Sequence, residues 1–207
     1  MRLDVDTAAG TAWVELDRAR NPVALLVLGH GAGGGVDAPD LLVVRDAAVA
    51  AGIAVARVTQ PYRVAGRRAP APAPRLDEAW LAALAAVRGI RGLRALPLVV
   101  GGRSSGARVA CRTARASAAD AVVALAFPLH PPGRPERSRL AELEGPHVPV
   151  LIVQGERDVF GVPPPGRGRA VVVLAGADHS LKKDPAAVAA AVIDFVTTVA
   201  GRASVET

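Results

Sequence analysis

The chain is poor in aromatic side chains, carries one cysteine and has no long apolar run, and each shortage excludes something. Phe, Tyr and Trp make up only 3% of 207 residues, so alanine, valine and leucine must fill the core. An apolar content of 51% assembled in this way favours Val-rich buried strands beneath Ala-rich helices. The lone Cys111 excludes an internal disulfide and fits a reducing cytoplasm. It falls in a helical pattern, where it reads as a small buried apolar residue. No apolar run approaches the ~18 residues of a membrane span, and no charged-then-apolar leader opens the chain. A cytoplasmic protein without membrane contact is expected. The formal charge of +6 comes almost entirely from arginine. Those arginines are scattered, with no basic run interleaved with aromatics, so nucleic acid is not an expected partner.

What is present is a regular alternation of strand and helix patterns, read as one domain over 1–207. Residues 2–6 and 11–17 alternate polar and apolar around Ala9-Gly10, an N-terminal edge hairpin over 1–17. Continuous apolar runs at 23–28, 53–58, 96–101, 121–127, 148–154 and 170–174 read as strands buried on both faces. Between them, helices are expected from Asp37 as cap to Gly52, over 76–89, and from the turn at Ser104 to about residue 116. A closing helix is capped by Asp184 with Pro185 first. It should bury Val188, Val192, Phe195, Val196 and Val199. The stretch 60–75 is proline-rich and predicts an irregular, extended surface loop near the site. This order predicts a three-layer α/β fold, with a mostly parallel central sheet, helices on both faces and no lid domain.

In such sheets ligands bind at the carboxyl ends of the strands. His30, Ser104, His130, Asp158 and His179 all fall just after a predicted strand. Ser104 is the centre of Gly102-Arg103-Ser104-Ser105-Gly106, placed between a strand and a helix. So short a turn needs small residues two before and two after its tip, because the two backbones nearly touch there. Ser104 satisfies that rule and Ser105, flanked by Arg103 and Ala107, does not. A serine hydroxyl needs a base within hydrogen-bond reach, and the base needs a carboxylate to orient it. His179 and Asp158 fill those roles in the chain order Ser–Asp–His expected of an α/β-hydrolase. Asp178 and Glu156 are rival acids, with a turn role suiting Asp178 better. Ser105 N–H, at a helix N-terminus, is one expected oxyanion donor, and Ala32 in the 30–35 glycine loop is the other. His30, Gly31, Gly33, Tyr62, Arg103 and His130 are expected around the pocket. His30 should order the glycine loop, His130 could belong to a proline-stiffened wall, and His147 falls at the wrong end of its strand. The glycine loop lacks the Lys-Ser/Thr of a phosphate-binding loop and the spacing of a dinucleotide fingerprint. No cofactor and no metal are expected.

The chain resembles the small, lidless α/β-hydrolases related to dienelactone hydrolase, and within them the KANL3/Tex30-like family. The resemblance is carried by Gly29–Gly35, Pro61-Tyr62 with Gly66-Arg67-Arg68-Ala69-Pro70, Gly101–Ala110, Phe127–Glu136, Gln154–Gly161 and Asp178-His179-Ser180-Leu181. It implies the α/β-hydrolase fold and a Ser104–Asp158–His179 triad, and supplies no substrate. Ser105 departs from the pattern, since such families often carry a bulkier residue there. The expectation is therefore a serine hydrolase of small carboxylic esters or related acyl compounds. The alternative is a non-catalytic interaction module on the same fold.

Overall fold

A computed structural model describes residues 1–203, and positions 204–207 of the expected domain lie outside the described residues. The apolar runs of the sequence all join one sheet. Its strands are β1 (Arg2–Thr7), β2 (Gly10–Asp17), β3 (Ala24–Gly29), β4 (Ile53–Thr59), β5 (Leu98–Arg103), β6 (Ala121–Leu125), β7 (Val150–Gly155) and β8 (Arg169–Leu174). They lie in the order β1-β2-β4-β3-β5-β6-β7-β8. The hairpin β1–β2 is antiparallel and β2 runs antiparallel to β4, while every pair from β4 to β8 is parallel. The parallel strands thus point their carboxyl ends at one edge, and the site forms there.

Alternation along each strand sorts its side chains into two apolar layers. Leu25 and Val27 face one layer with Trp80, Val100 and Phe127, whereas Leu26 and Leu28 face the other with Leu41, Val123 and Val192. The first layer is covered by α3 (Ala73–Arg88) and α4 (Ser105–Thr113), with the short α5 (Leu140–Glu144) beside α4. The second is covered by α1 (Pro39–Ala50) and α6 (Pro185–Ala203). Each fully buried Leu, Val or Phe contributes about 1.5–3 kcal/mol against chain entropy. Burial of both sheet faces is what holds the strand ends in register.

Four expectations change. The first helix begins at Pro39 with Ala38 as cap, and no side chain caps it. Proline after Ala38 pushes that residue into extended backbone (ψ 135), so Asp37 falls outside the cap position. The stretch 60–75 is not continuously extended. Pro61 opens a one-turn helix, α2 (Pro61–Val64), and Pro74 sits in the first turn of α3, positions where a missing N–H costs nothing. Pro61 and Tyr62 are buried, leaving 65–72 as the irregular part. The closing helix is capped by Asp184, whose Oδ1 accepts from Ala187 N–H at 2.9 Å, but Phe195 is only half-buried. That helix spans 19 residues, long and apolar enough by length and composition to cross a membrane. Its apolar stripe of Val188, Val192 and Val196 is instead spent on the sheet.

Candidate active site

The turn at Ser104 is held by glycines. A Cβ on Gly102 would stand 2.5 Å from the Gly29 carbonyl, and one on Gly106 would strike that same carbonyl. The β5–α4 turn therefore packs on β3, and Gly29 is in turn backed by the ring of Trp80, 3.2 Å from where its own Cβ would be. Ser104 adopts φ 53, ψ −107, a left-handed backbone that costs a non-glycine residue on the order of 1–3 kcal/mol. Its hydroxyl makes no helix-capping bond.

That hydroxyl instead lies 3.0 Å from His179 Nε2, and His179 Nδ1 lies 2.8 Å from Asp158 Oδ2. An ionised carboxylate only accepts, so Nδ1 carries the ring proton and Nε2 is left to accept from Ser104. The Asp158 side chain is fully buried. Its Oδ1 accepts from Phe160 N–H at 2.9 Å and its Oδ2 from Gln154 Nε2 at 2.7 Å. Gln154 is oriented by the carbonyls of Phe127 and Gly161, at 3.2 and 3.0 Å. The Phe160 ring packs in a tilted arrangement against His179, 4.4 Å between centroids and 43° between planes. Both loops are locked together at Gly155, where a Cβ would stand 2.5 Å from the carbonyls of Ala177 and Asp178.

The rival acids are occupied elsewhere. Glu156 Oε2 accepts from Gly176 N–H at 2.6 Å. Asp178 accepts from the backbone and hydroxyl of Ser180 at 2.8 and 2.6 Å, which holds its carboxyl below the usual range.

Across the site, His30 is buried and its ring joins two strand ends. Gln60 N–H donates to Nε2 at 3.0 Å, so Nδ1 is the protonated nitrogen and donates to the Gly31 carbonyl at 2.7 Å. Burial holds this imidazole below its ordinary pKa. The Tyr62 hydroxyl donates to the Ala32 carbonyl at 2.7 Å, and burial raises its pKa. With its carbonyl fixed, the Ala32 peptide has a set orientation. Among the described residues neither Ala32 N–H nor Ser105 N–H has an acceptor. Gly31 borders Ser104, whose Cβ is 3.7 Å from where a Gly31 Cβ would stand.

Arg103 ties the two sides. Its guanidinium donates to the His179 carbonyl at 3.0 Å, and its Nε lies 2.8 Å from Asp40 Oδ2. The latter contact is off the N–H direction, an ion pair rather than an aligned hydrogen bond. Burial raises the Asp40 pKa and the Arg103 charge opposes that rise.

Two expected pocket residues make no hydrogen bond to Ser104 or His179. Gly33 has no neighbour within 4 Å of its Cβ position. His130 bonds to its neighbour, Pro131 O, at 2.9 Å and stands against Gly161, so it buttresses the Asp158 loop and makes no hydrogen bond to Ser104 or His179. His147 is exposed at the opposite edge. Asp40, Gln60, Gln154 and Phe160 were not singled out from the sequence. Only Gln154 and Phe160 had a pointer there, since both fall in the quoted stretch around Asp158. Cys111 is buried and its thiol pushed up to about 12, as expected of an inert core residue. Among the described residues no three His, Cys, Asp or Glu side chains converge as metal ligands.

Residues 22–189 match the family model described as an alpha/beta hydrolase domain. No curated protein matches the chain by sequence. Among solved structures it is similar to Est1E from Butyrivibrio proteoclasticus, at 16% identity and a TM-score of 0.77, covering 96% of this chain and 98% of that one. It is similar to XC6422 from Xanthomonas campestris, described as a serine hydrolase without lid, at 20% identity and 0.69, covering 95% and 94%. Dienelactone hydrolase from Anabaena variabilis matches at 16% identity and 0.72, covering 96% and 94%. At these identities the likeness is one of fold.

Proposed function

Because this chain belongs to the alpha/beta hydrolase family, we propose that it is a serine hydrolase of small carboxylic esters, working through Ser104, His179 and Asp158. The observation that carries this reading is the continuous hydrogen-bond path from Ser104 Oγ to His179 at 3.0 Å and on to Asp158 at 2.8 Å. Ser104 Oγ attacks the ester carbonyl carbon while its proton passes to His179 Nε2. Negative charge moves to the carbonyl oxygen, where the N–H groups of Ser105 and Ala32 receive it. Each such donor contributes about 2.7–4 kcal/mol in related chemistry. The tetrahedral adduct collapses, the C–O bond to the alcohol breaks, and His179 returns the proton to that oxygen. A water molecule, deprotonated by His179, then repeats the sequence on the acyl-enzyme and releases the acid. Asp158 stays ionised throughout and stabilises the imidazolium.

Ser104 and His179 beyond bonding reach would favour the non-catalytic alternative, and the 3.0 Å separation weighs against it. Within the family, the quoted stretches support a place among the KANL3/Tex30-like members, and the lone buried Cys111 supports a reducing, cytoplasmic setting. The test is labelling by a fluorophosphonate probe together with turnover of 4-nitrophenyl acetate. Labelling at Ser104, absent from Ser104→Ala, is the expected result. A wild-type chain that neither labels nor turns over the ester refutes the reading.

A further inference from the structure

One quoted stretch has no task in the ester chemistry: Pro61-Tyr62 with Gly66-Arg67-Arg68-Ala69-Pro70. Over 61–76 four arginines, at 63, 67, 68 and 75, stand without a single acidic residue between them. The fold wraps this segment around a cavity of about 310 Å3, closed on its far side by the β1–β2 turn. Pro61, Val64, Ala71 and Leu76 give it an apolar wall, and Arg67 and Arg75 line it. Among the described residues neither guanidinium forms an ion pair, whereas Arg57, Arg103, Arg108 and Arg112 each hold a carboxylate. Thr11 on the rim donates to Asp6 at 3.2 Å, so that carboxylate is already engaged.

The cavity opens at the same sheet edge as Ser104. Tyr62 lines it while its hydroxyl fixes the Ala32 carbonyl. Gln60, Tyr62 and Leu76 also line a void of only about 10 Å3 shared with Ser105 and Gly106, so a substrate must reach the cavity across the open sheet edge and not through the interior. The strand that leads into the cavity, β4, lies two places from β5 in the sheet, a separation of about 10 Å. Ser104 lines none of the cavities of about 310, 360, 510 and 630 Å3. A substrate held only at its carbonyl would therefore have little to grip.

Resting on the serine-hydrolase reading, we propose that this cavity, which lies beyond the end of β4, receives the far end of the substrate, an ester whose apolar body ends in a carboxylate at least about 10 Å from the scissile carbonyl. Guanidinium forks match a carboxylate in two parallel hydrogen bonds, and the apolar wall takes the chain between the two ends.

The test compares the 4-nitrophenyl monoester of suberic acid with 4-nitrophenyl octanoate, which has the same length and no terminal charge. The ratio of kcat/KM is expected to favour the carboxylate about tenfold at low salt, through KM, and to shrink as salt rises. Arg67→Gln with Arg75→Gln brings the ratio near one, and Arg20→Gln, at an exposed arginine away from the cavity, keeps it. A ratio near one in the wild type, or one untouched by the double substitution, overturns the proposal. Failure of the hydrolase reading looks different: neither ester turns over and Ser104 does not label. Titration of suberate into the Ser104→Ala chain then decides the cavity separately. Uptake lost with the double substitution supports the carboxylate site, and no uptake overturns it.

Discussion

The two sides of the Ser104 turn are built by different means. On the β7–β8 side, side-chain bonds carry the chain of contacts: Asp158 is held by the side chains of Gln154 and His179, with Phe160 N–H as a backbone donor, and Gly155 presses the two loops together. On the β3–β4 side, His30 and Tyr62 bond to backbone carbonyls and an amide, and an open, arginine-lined cavity lies behind them. A fixed imidazole tolerates little displacement, because proton transfer falls off steeply with geometry. Peptide donors held by their neighbours leave room beside them. The first side governs chemistry and the second governs which ester arrives.

That division can be broken at the acid. Asp158→Asn keeps the shape but presents an amide that favours the wrong tautomer of His179, and a kcat loss of about 10⁴-fold is expected. Steady-state kinetics checks it, and a change confined to KM would refute the assignment of this side to chemistry. The bridge between the sides comes next. Arg103→Met leaves the buried Asp40 carboxylate unpaired, and a stability loss of roughly 3 kcal/mol is expected by denaturant unfolding. Adding Asp40→Asn should restore much of it, a non-additivity that independent sites would not show.

Gly155→Ala forces a methyl against two carbonyls at 2.5 Å. A loss of about 1–3 kcal/mol is expected, whereas Gly33→Ala, with open space around it, should lie within about 0.5 kcal/mol of wild type. Equal costs at the two glycines would erase the contrast. Tyr62→Phe removes the bond to Ala32 O, about 0.5–1.5 kcal/mol, and should lower kcat/KM by no more than about tenfold.

The smallest effect is on pH. Burial lowers the His30 pKa from 6.5, so the unfolded chain takes up a proton first as pH falls. Between the unfolded value and the lower folded one, the unfolded state binds more protons, and stability drops in that window. Unfolding midpoints at pH 7.5 and 5.5 should show the drop, and His30→Gln should flatten it.

The sheet and its layers were legible because strands buried on both faces must be continuously apolar and helices must repeat at their own spacing. The turn at Ser104 was legible for a similar reason, since only glycine fits where three backbones meet. His179 and Asp158 were chosen by chain order, with Glu156 and Asp178 as rival acids, and in the structure Asp158 is the carboxylate that meets the ring. All three carboxylates follow strands, and only loop geometry decides which one faces the ring. Asp40 was illegible because its partner Arg103 lies on a distant strand, and Gln154 and Phe160 were only pointed to by the stretch around Asp158, since nothing in their residue types says that they bond its carboxylate. The prolines of 60–75 misled, since proline marks a helix start as readily as an extended loop. Local sterics and periodicity were thus written in the sequence. Which side chains meet across the strand ends, and which arginines surround an open cavity, was decided only by tertiary packing, because those distances depend on the whole sheet at once.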